Sequence, residues 1–236
     1  MRRTTVVLEM VLFFLAFFLP GYLAQAWGPS IGPVSSSVLL QSIVTGLPQL
    51  LLMAYVVGVR GLASSPRWGF VPWERGDTPR VATLVAGCFA IVLVSGSLLR
   101  LLPPSWSRAL GDGFRWGLQS PWQIPLALVF GLAAGYREEF FFRAYLLGRL
   151  AELDVSLPVA SVGSVLLFSL GHVYEGPLAV IVTAAIGALF TVSYVKRRSI
   201  HVIALSHGLY NAIALSLSIF LRRALPGGDV LRILSP

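Results

Sequence analysis

The chain has 236 residues, of which 56% are hydrophobic and only 12% charged, and its mean hydropathy is +0.79. A soluble domain carries roughly 25% charged residues, so a soluble enzyme, a disordered tail and a secreted disulfide scaffold are all excluded. The net charge of +8 does not point to nucleic acid: every base but Lys196 is arginine, and they flank apolar segments, the pattern of membrane topology.

An all-α, polytopic transmembrane bundle is the fold class this composition predicts. A spanning helix needs about 20 mostly apolar residues. Seven stretches qualify, in the order Val6–Ala26, Val38–Val59, Val81–Leu102, Trp122 to Leu150, Leu157–His172, Pro177–Val195 and Ile200–Leu221. Breaker residues separate them: Gly28-Pro29, Ser64-Ser65-Pro66, Pro103-Pro104, Gly176-Pro177 and Pro226-Gly227-Gly228. The single cysteine, Cys88, lies in an apolar run and reads as a small buried side chain.

The first stretch has a second reading. Arg2-Arg3, an apolar core and Ala24-Gln25-Ala26 resemble a signal peptide with its small-residue cleavage site. Six further spans follow, so retention is the favoured reading. Glu9 is expected to reach the interface or to pair with Arg2 or Arg3.

An ionisable residue inside a span is costly and marks a functional site by default. Three clusters qualify, all in the C-terminal half. In the first, Arg137-Glu138-Glu139-Phe140-Phe141-Phe142-Arg143, Glu139 and Arg143 are one turn apart and can pair. Glu138 points about 100° away around the helix and is expected to lack a partner, leaving it able to move protons. Gly131, Ala134 and Gly135 on its own face would let a second helix approach closely. Next come Phe168 and His172, again one turn apart, and then His207 and Asn211 in the last span. His201, next to Lys196-Arg197-Arg198, reads as interfacial and is left out. Ala184, Gly187, Ala188 and Thr191 read as a packing face.

Two histidines, an unpaired glutamate and an asparagine amide can hydrolyse an amide bond. A glutamate and a histidine remove a proton from water, while donors stabilise the oxyanion that forms. Alternatively, Glu138, His172 and His207 could hold a zinc ion, although the His-Glu-x-x-His helix motif is absent.

Glu138-Glu139-x-x-x-Arg143, Phe168-x-x-x-His172 and His207-x-x-x-Asn211 resemble, in order and type, the three motifs of the CPBP intramembrane proteases. That family contains the CAAX prenyl endopeptidases of the Rce1 type and bacterial relatives, including a myxosortase-like group. The resemblance covers roughly residues 126–221. It implies a four-helix catalytic core at 121–222, between N-terminal helices without a recognised motif (1–120) and a tail (223–236). It further implies that Glu138 and His172 activate water, that His207 and Asn211 stabilise the oxyanion, and that Glu139, Arg143 and Phe168 support them. Such enzymes are also called metalloproteases; no cofactor is favoured here, with zinc as the alternative.

The resemblance also implies membrane-associated protein or peptide substrates. The arginine-rich composition suggests a high-GC bacterium, where prenylated substrates are not expected and peptide signals, bacteriocins or C-terminal sorting tails are. The alternative function is a non-proteolytic regulator or bacteriocin-immunity protein that keeps the fold as a binding scaffold. A transporter is disfavoured, since no inverted repeat is visible. With His172 near the outer end of its span and Glu138 and His207 deeper, the fifth helix is expected to be tilted or broken, with His172-Val173-Tyr174-Glu175-Gly176 dipping into a water-filled cavity.

Counting bases in the loops places twelve on the side of the N-terminus and six opposite, with Arg222-Arg223 fitting better on the first side. This predicts a plasma (inner) membrane protein with a cytoplasmic N-terminus. Reporter fusions in the 60–80 loop and at Lys196–Arg198 should therefore read as cytoplasmic, and an external signal at either loop would reverse the orientation.

Overall fold

The computed structural model describes residues 3–24, 34–61, 68–111 and 117–224. The chain forms helices α1 (Arg3–Phe17), α2 (Leu19–Ala24), α3 (Ser36–Val59), α4 (Asp77–Leu99) and α5 (Pro104–Gly111). There follow α6 (Ile124–Glu139), a π-helical turn (Phe140–Tyr145), α7 (Leu146–Glu152), α8 (Leu157–Leu170), α9 (Pro177–Arg197) and α10 (Ile200–Ala224). Among the described residues the only β pairing is an isolated bridge between Val34 and Leu118. Residues Gln25-Ala26 of the cleavage pattern, the turns at Gly28-Pro29, Ser64-Ser65-Pro66 and Pro226-Gly227-Gly228, and Arg2, Arg67, Arg115 and Arg232 lie outside the described residues, as does the tail from 225.

The protein is a multi-pass membrane protein. Among the described residues four helices are long and apolar enough to cross a bilayer: α3, α4, α9 and residues Ile200–Leu221 of α10. The other three predicted stretches depart from simple spans for distinct reasons. The first breaks at Phe18 into α1 and the short α2. The fourth runs through α6, the π turn and α7, and carries Arg137, Glu138, Glu139, Arg143 and Arg149 along its length. The fifth, α8, has 14 residues, about 21 Å of helix against a hydrocarbon core of about 30 Å.

Burial of the arginines also changes the loop count. Arg143 and Arg149 are 0% and 1% exposed and make ion pairs inside the bundle, and Arg137 is largely covered. These three are interior groups, so they do not report on which side their segments face.

Helix starts are set by local chemistry. Ser35 caps α3, its side chain accepting from the Val38 amide. The buried Gln123 fixes the entry of α6. Its Oε1 accepts from the backbone of Gln119 (2.7 Å) and Ser120 (3.0 Å), and its Nε2 donates to the Val34 carbonyl (3.1 Å) and Ser36 Oγ (3.0 Å). One side chain thereby ties the start of α3 to the start of α6.

Aromatic packing and an ion network hold α1 against the α6–α7 segment. Phe18 packs at a tilt against Phe141 with ring centroids 4.5 Å apart, and Phe13 meets the edge of Tyr145 at 5.1 Å. Glu9 pairs with Arg60 at the end of α3 and with the buried Arg149, and accepts from the Tyr145 hydroxyl at 2.7 Å. Of the two expected partners of Glu9, Arg2 lies outside the described residues and Arg3 pairs with Asp154 instead, while Arg149 is a desolvated cation that requires a counter-charge.

The closest helix contact is between α6 and α10. A Cβ placed on Gly135 would lie 2.6 Å from both the Ala204 carbonyl oxygen and the Gly208 nitrogen, and one on Gly131 would lie 2.5 Å from the Gly208 oxygen. The close approach predicted from the small residues of α6 is thus made by α10. In a membrane this contact replaces the hydrophobic driving force with dense packing. We expect Gly135→Ala to lower stability by about 1–3 kcal/mol, seen as a lower melting temperature in detergent. Gly163→Ala, with nothing within 4 Å of its Cβ, should melt like the wild type.

Candidate active site

The three sequence clusters converge where α6, the end of α8 and α10 meet. Glu139 lies in the last turn of α6, fully buried. Its Oε1 accepts from Arg143 Nη1 at 3.0 Å and lies 2.8 Å from His207 Nδ1. An ion-paired carboxylate oxygen only accepts, so Nδ1–H is the donor and His207 Nε2 is left facing Glu138, 3.9 Å from its Oε2. The predicted Glu139–Arg143 pair is therefore present, and Glu139 also orients the histidine of another helix.

Arg143 reaches further than its ion pair. Its Nε donates to Thr191 Oγ1 (3.3 Å), its Nη2 to the Gly187 carbonyl (3.1 Å), and its guanidinium lies 4.4 Å from the Phe168 ring centroid. The face of Gly187 and Thr191, read from sequence as packing, thus also receives this cation. The π turn that carries Arg143 buries all six of its residues, and such widened turns recur at functional sites.

Glu138 differs from its expectation. Arg137 Nη2 donates to Glu138 Oε1 at 2.9 Å, so the acid has a partner. Consecutive helical residues point apart, but the long arginine side chain folds back across that angle. Arg137 also reaches Gln49 of α3, Nη1 to Oε1 at 3.5 Å. Glu138 Oε2 is the oxygen turned toward His207.

Helix α8 ends where the site needs a break. After Leu170 the chain turns through Gly171 and His172 into a 3-10 turn at Val173–Glu175, and Gly176 (φ +96°) opens α9. That φ is one glycine adopts without strain. Here the expected break at His172 coincides with the end of α8. His172 Nδ1 donates to the Phe168 carbonyl at 3.1 Å, which leaves Nε2 unprotonated in the neutral ring. The Phe168 ring lies between the two histidines, 5.1 Å from His172 and 5.8 Å from His207.

Glu138, His172, His207 and Asn211 line one cavity of about 190 Å³. Glu138 and His172 also line a second cavity of about 610 Å³ that extends to α3. Several lining residues escaped the sequence reading. Arg137 is given no role of its own within the first cluster, while Tyr174, Glu175 and Tyr210 belong to no motif. Only the position of Tyr174 and Glu175 beside the predicted break could have drawn attention to them. His201 meets the Tyr136 hydroxyl at 3.4 Å and lines neither cavity.

Catalytic zinc takes three protein ligands and keeps a fourth position open. Among the described residues no three His, Cys, Asp or Glu side chains are grouped to hold a metal ion. Arg137 engages Glu138 Oε1, and Glu139 engages His207 Nδ1. These contacts leave Glu138 Oε2, His172 Nε2 and His207 Nε2 as the donors that a metal ion would have to take.

Residues 120–213 match the family model of Rce1-like type II CAAX prenyl endopeptidases. This part of the chain is similar to that protease family. The Rce1-like segment contains all three clusters and runs from α6 into α10, whereas α1 to α5 lie outside it. No curated protein and no solved structure matches the chain.

Replacing Arg143 with alanine should cost about 3–5 kcal/mol, since it leaves the buried Glu139 charge without its cation. Arg143→Lys should recover part of that loss, because an ammonium can meet Glu139 but cannot reproduce the planar three-way contact. Thermal melting of the purified variants checks both.

Proposed function

We propose that the protein is an intramembrane endopeptidase, cleaving a peptide bond near the C-terminal or membrane end of a membrane-associated protein or peptide. One observation carries this reading: Glu138, His172, His207 and Asn211 share a single cavity inside the bundle. The match of residues 120–213 to a protease family supports it.

In this mechanism Glu138 Oε2 and His172 Nε2 take up the proton of a water that attacks the substrate carbonyl. Both groups then face that water as acceptors. The oxyanion is met by the Asn211 amide and by His207. Because His207 Nδ1–H is held by Glu139, the ring donates from Nε2 in its imidazolium form, with Glu139 and Glu138 as counter-charges. Glu138 passes the proton to the leaving amine as the tetrahedral intermediate collapses. The Glu139–Arg143 pair and Phe168 position these groups without touching substrate.

The composition supports a bacterial inner-membrane setting with a cytoplasmic N-terminus. Peptide signals, bacteriocins or C-terminal sorting tails are then the substrates of choice. Purified protein incubated with a library of peptides bearing apolar ends, read by mass spectrometry, tests the activity. Glu138→Gln should abolish cleavage with an unchanged melting temperature. Asn211→Ala should slow turnover by ~10²–10³ with residual activity, the effect of removing one oxyanion donor. Peptide binding without cleavage by the wild type would favour the scaffold alternative. One zinc per chain that activity requires would overturn the metal-free mechanism.

A further inference from the structure

The larger cavity reaches well beyond the catalytic groups, and one wall of it belongs to α3, outside the protease-family segment. On that helix Gln41, Ser42, Thr45 and Gln49 all line the cavity. Their spacing puts them on one face. The helix is otherwise apolar enough to cross the bilayer, and a polar face in such a helix is costly unless it meets a polar partner or a water-lined space.

Internal bonding does not account for this face. The Thr45 hydroxyl is satisfied by the Gln41 carbonyl of its own helix at 2.8 Å, and Gln49 is engaged by Arg137. Among the described residues the Gln41 amide and the Ser42 hydroxyl have no hydrogen-bond partner within the protein. Gln49 marks the end of the row next to Glu138, through Arg137. Gln41 lies eight residues away, about 12 Å along the helix axis.

We infer that this face of α3 binds the backbone of an extended substrate segment leading away from the scissile bond. The inference rests on the protease reading and specifies how its substrate is held. An extended chain rises about 3.3 Å per residue, so the row spans three to four substrate residues. A primary amide both donates and accepts, which suits a peptide group and has no use against an acyl chain. A substrate drawn from the membrane must expose its backbone to be cut, and in a low-dielectric site those peptide groups require partners. Gln41 and Ser42 supply them at the far end of the segment.

The test uses the full-length protein in detergent and the best-cleaved peptide of the library. N-methylation is placed, one position at a time, on the third and fourth amides on either side of the scissile bond. Gln41→Leu should raise KM about fivefold, the value of one neutral hydrogen bond, with kcat and the melting temperature unchanged. One N-methyl position should raise KM similarly in the wild type and have no further effect in Gln41→Leu. Gln41→Asn should recover part of the affinity. Unchanged KM in Gln41→Leu, or N-methyl effects that simply add to it, would overturn the inference while leaving the protease reading intact. If the wild type cleaves no peptide, both fall together.

Discussion

A single carboxylate oxygen, Glu139 Oε1, is shared by Arg143 of the π turn and His207 of α10. Taking a carboxylate out of water costs several kcal/mol, which only close opposite charges and hydrogen bonds offset. Here that requirement draws three elements together at once. Arg143 extends the connection to α9 through Thr191 and the Gly187 carbonyl. Without Glu139, Arg143 would lose its counter-charge and His207 Nδ1–H its acceptor.

The arrangement depends on backbones approaching closely enough for these side chains to meet. Gly131, Gly135 and Gly208 allow α6 and α10 to touch main chain to main chain, which holds His207 within reach of both glutamates. Bulk is concentrated elsewhere, in the Phe140–Tyr145 turn and the aromatic side chains of α1. Those rings pack against one another beside the charged groups, with the Arg137 guanidinium over the Phe18 ring. Small residues thus define where helices meet, and large ones fix their distance from α1.

Two neighbouring acids consequently acquire different surroundings. Glu139 is sealed, its Oε1 bridging Arg143 and His207 and its Oε2 buried without a hydrogen-bond partner among the described residues. Glu138, one residue earlier, is held by Arg137 at one oxygen and turns the other toward the cavity. The difference follows from the 100° between consecutive helical positions. One direction points into packed helix and the other into space bounded by α3, α8 and α10.

Composition and periodicity alone determined that the chain lives in a membrane, that it is helical, and that Glu139–Arg143, Phe168–His172 and His207–Asn211 each share a helix face. These are local consequences of hydropathy and of 3.6 residues per turn, so they need no knowledge of neighbours. The break after α8 was legible too, because the position of His172 along its span conflicted with simple alternation. Tertiary structure decided the rest. It gave His207 to Glu139, Arg137 to Glu138, Glu9 to Arg60 and Arg149, and the polar face of α3 to the cavity. It also turned three arginines that resemble loop residues into interior cations and shortened the count of clear spans to four. Such pairings depend on which helices lie side by side, and that is set by close contacts summed over the whole bundle, which no single stretch of sequence contains.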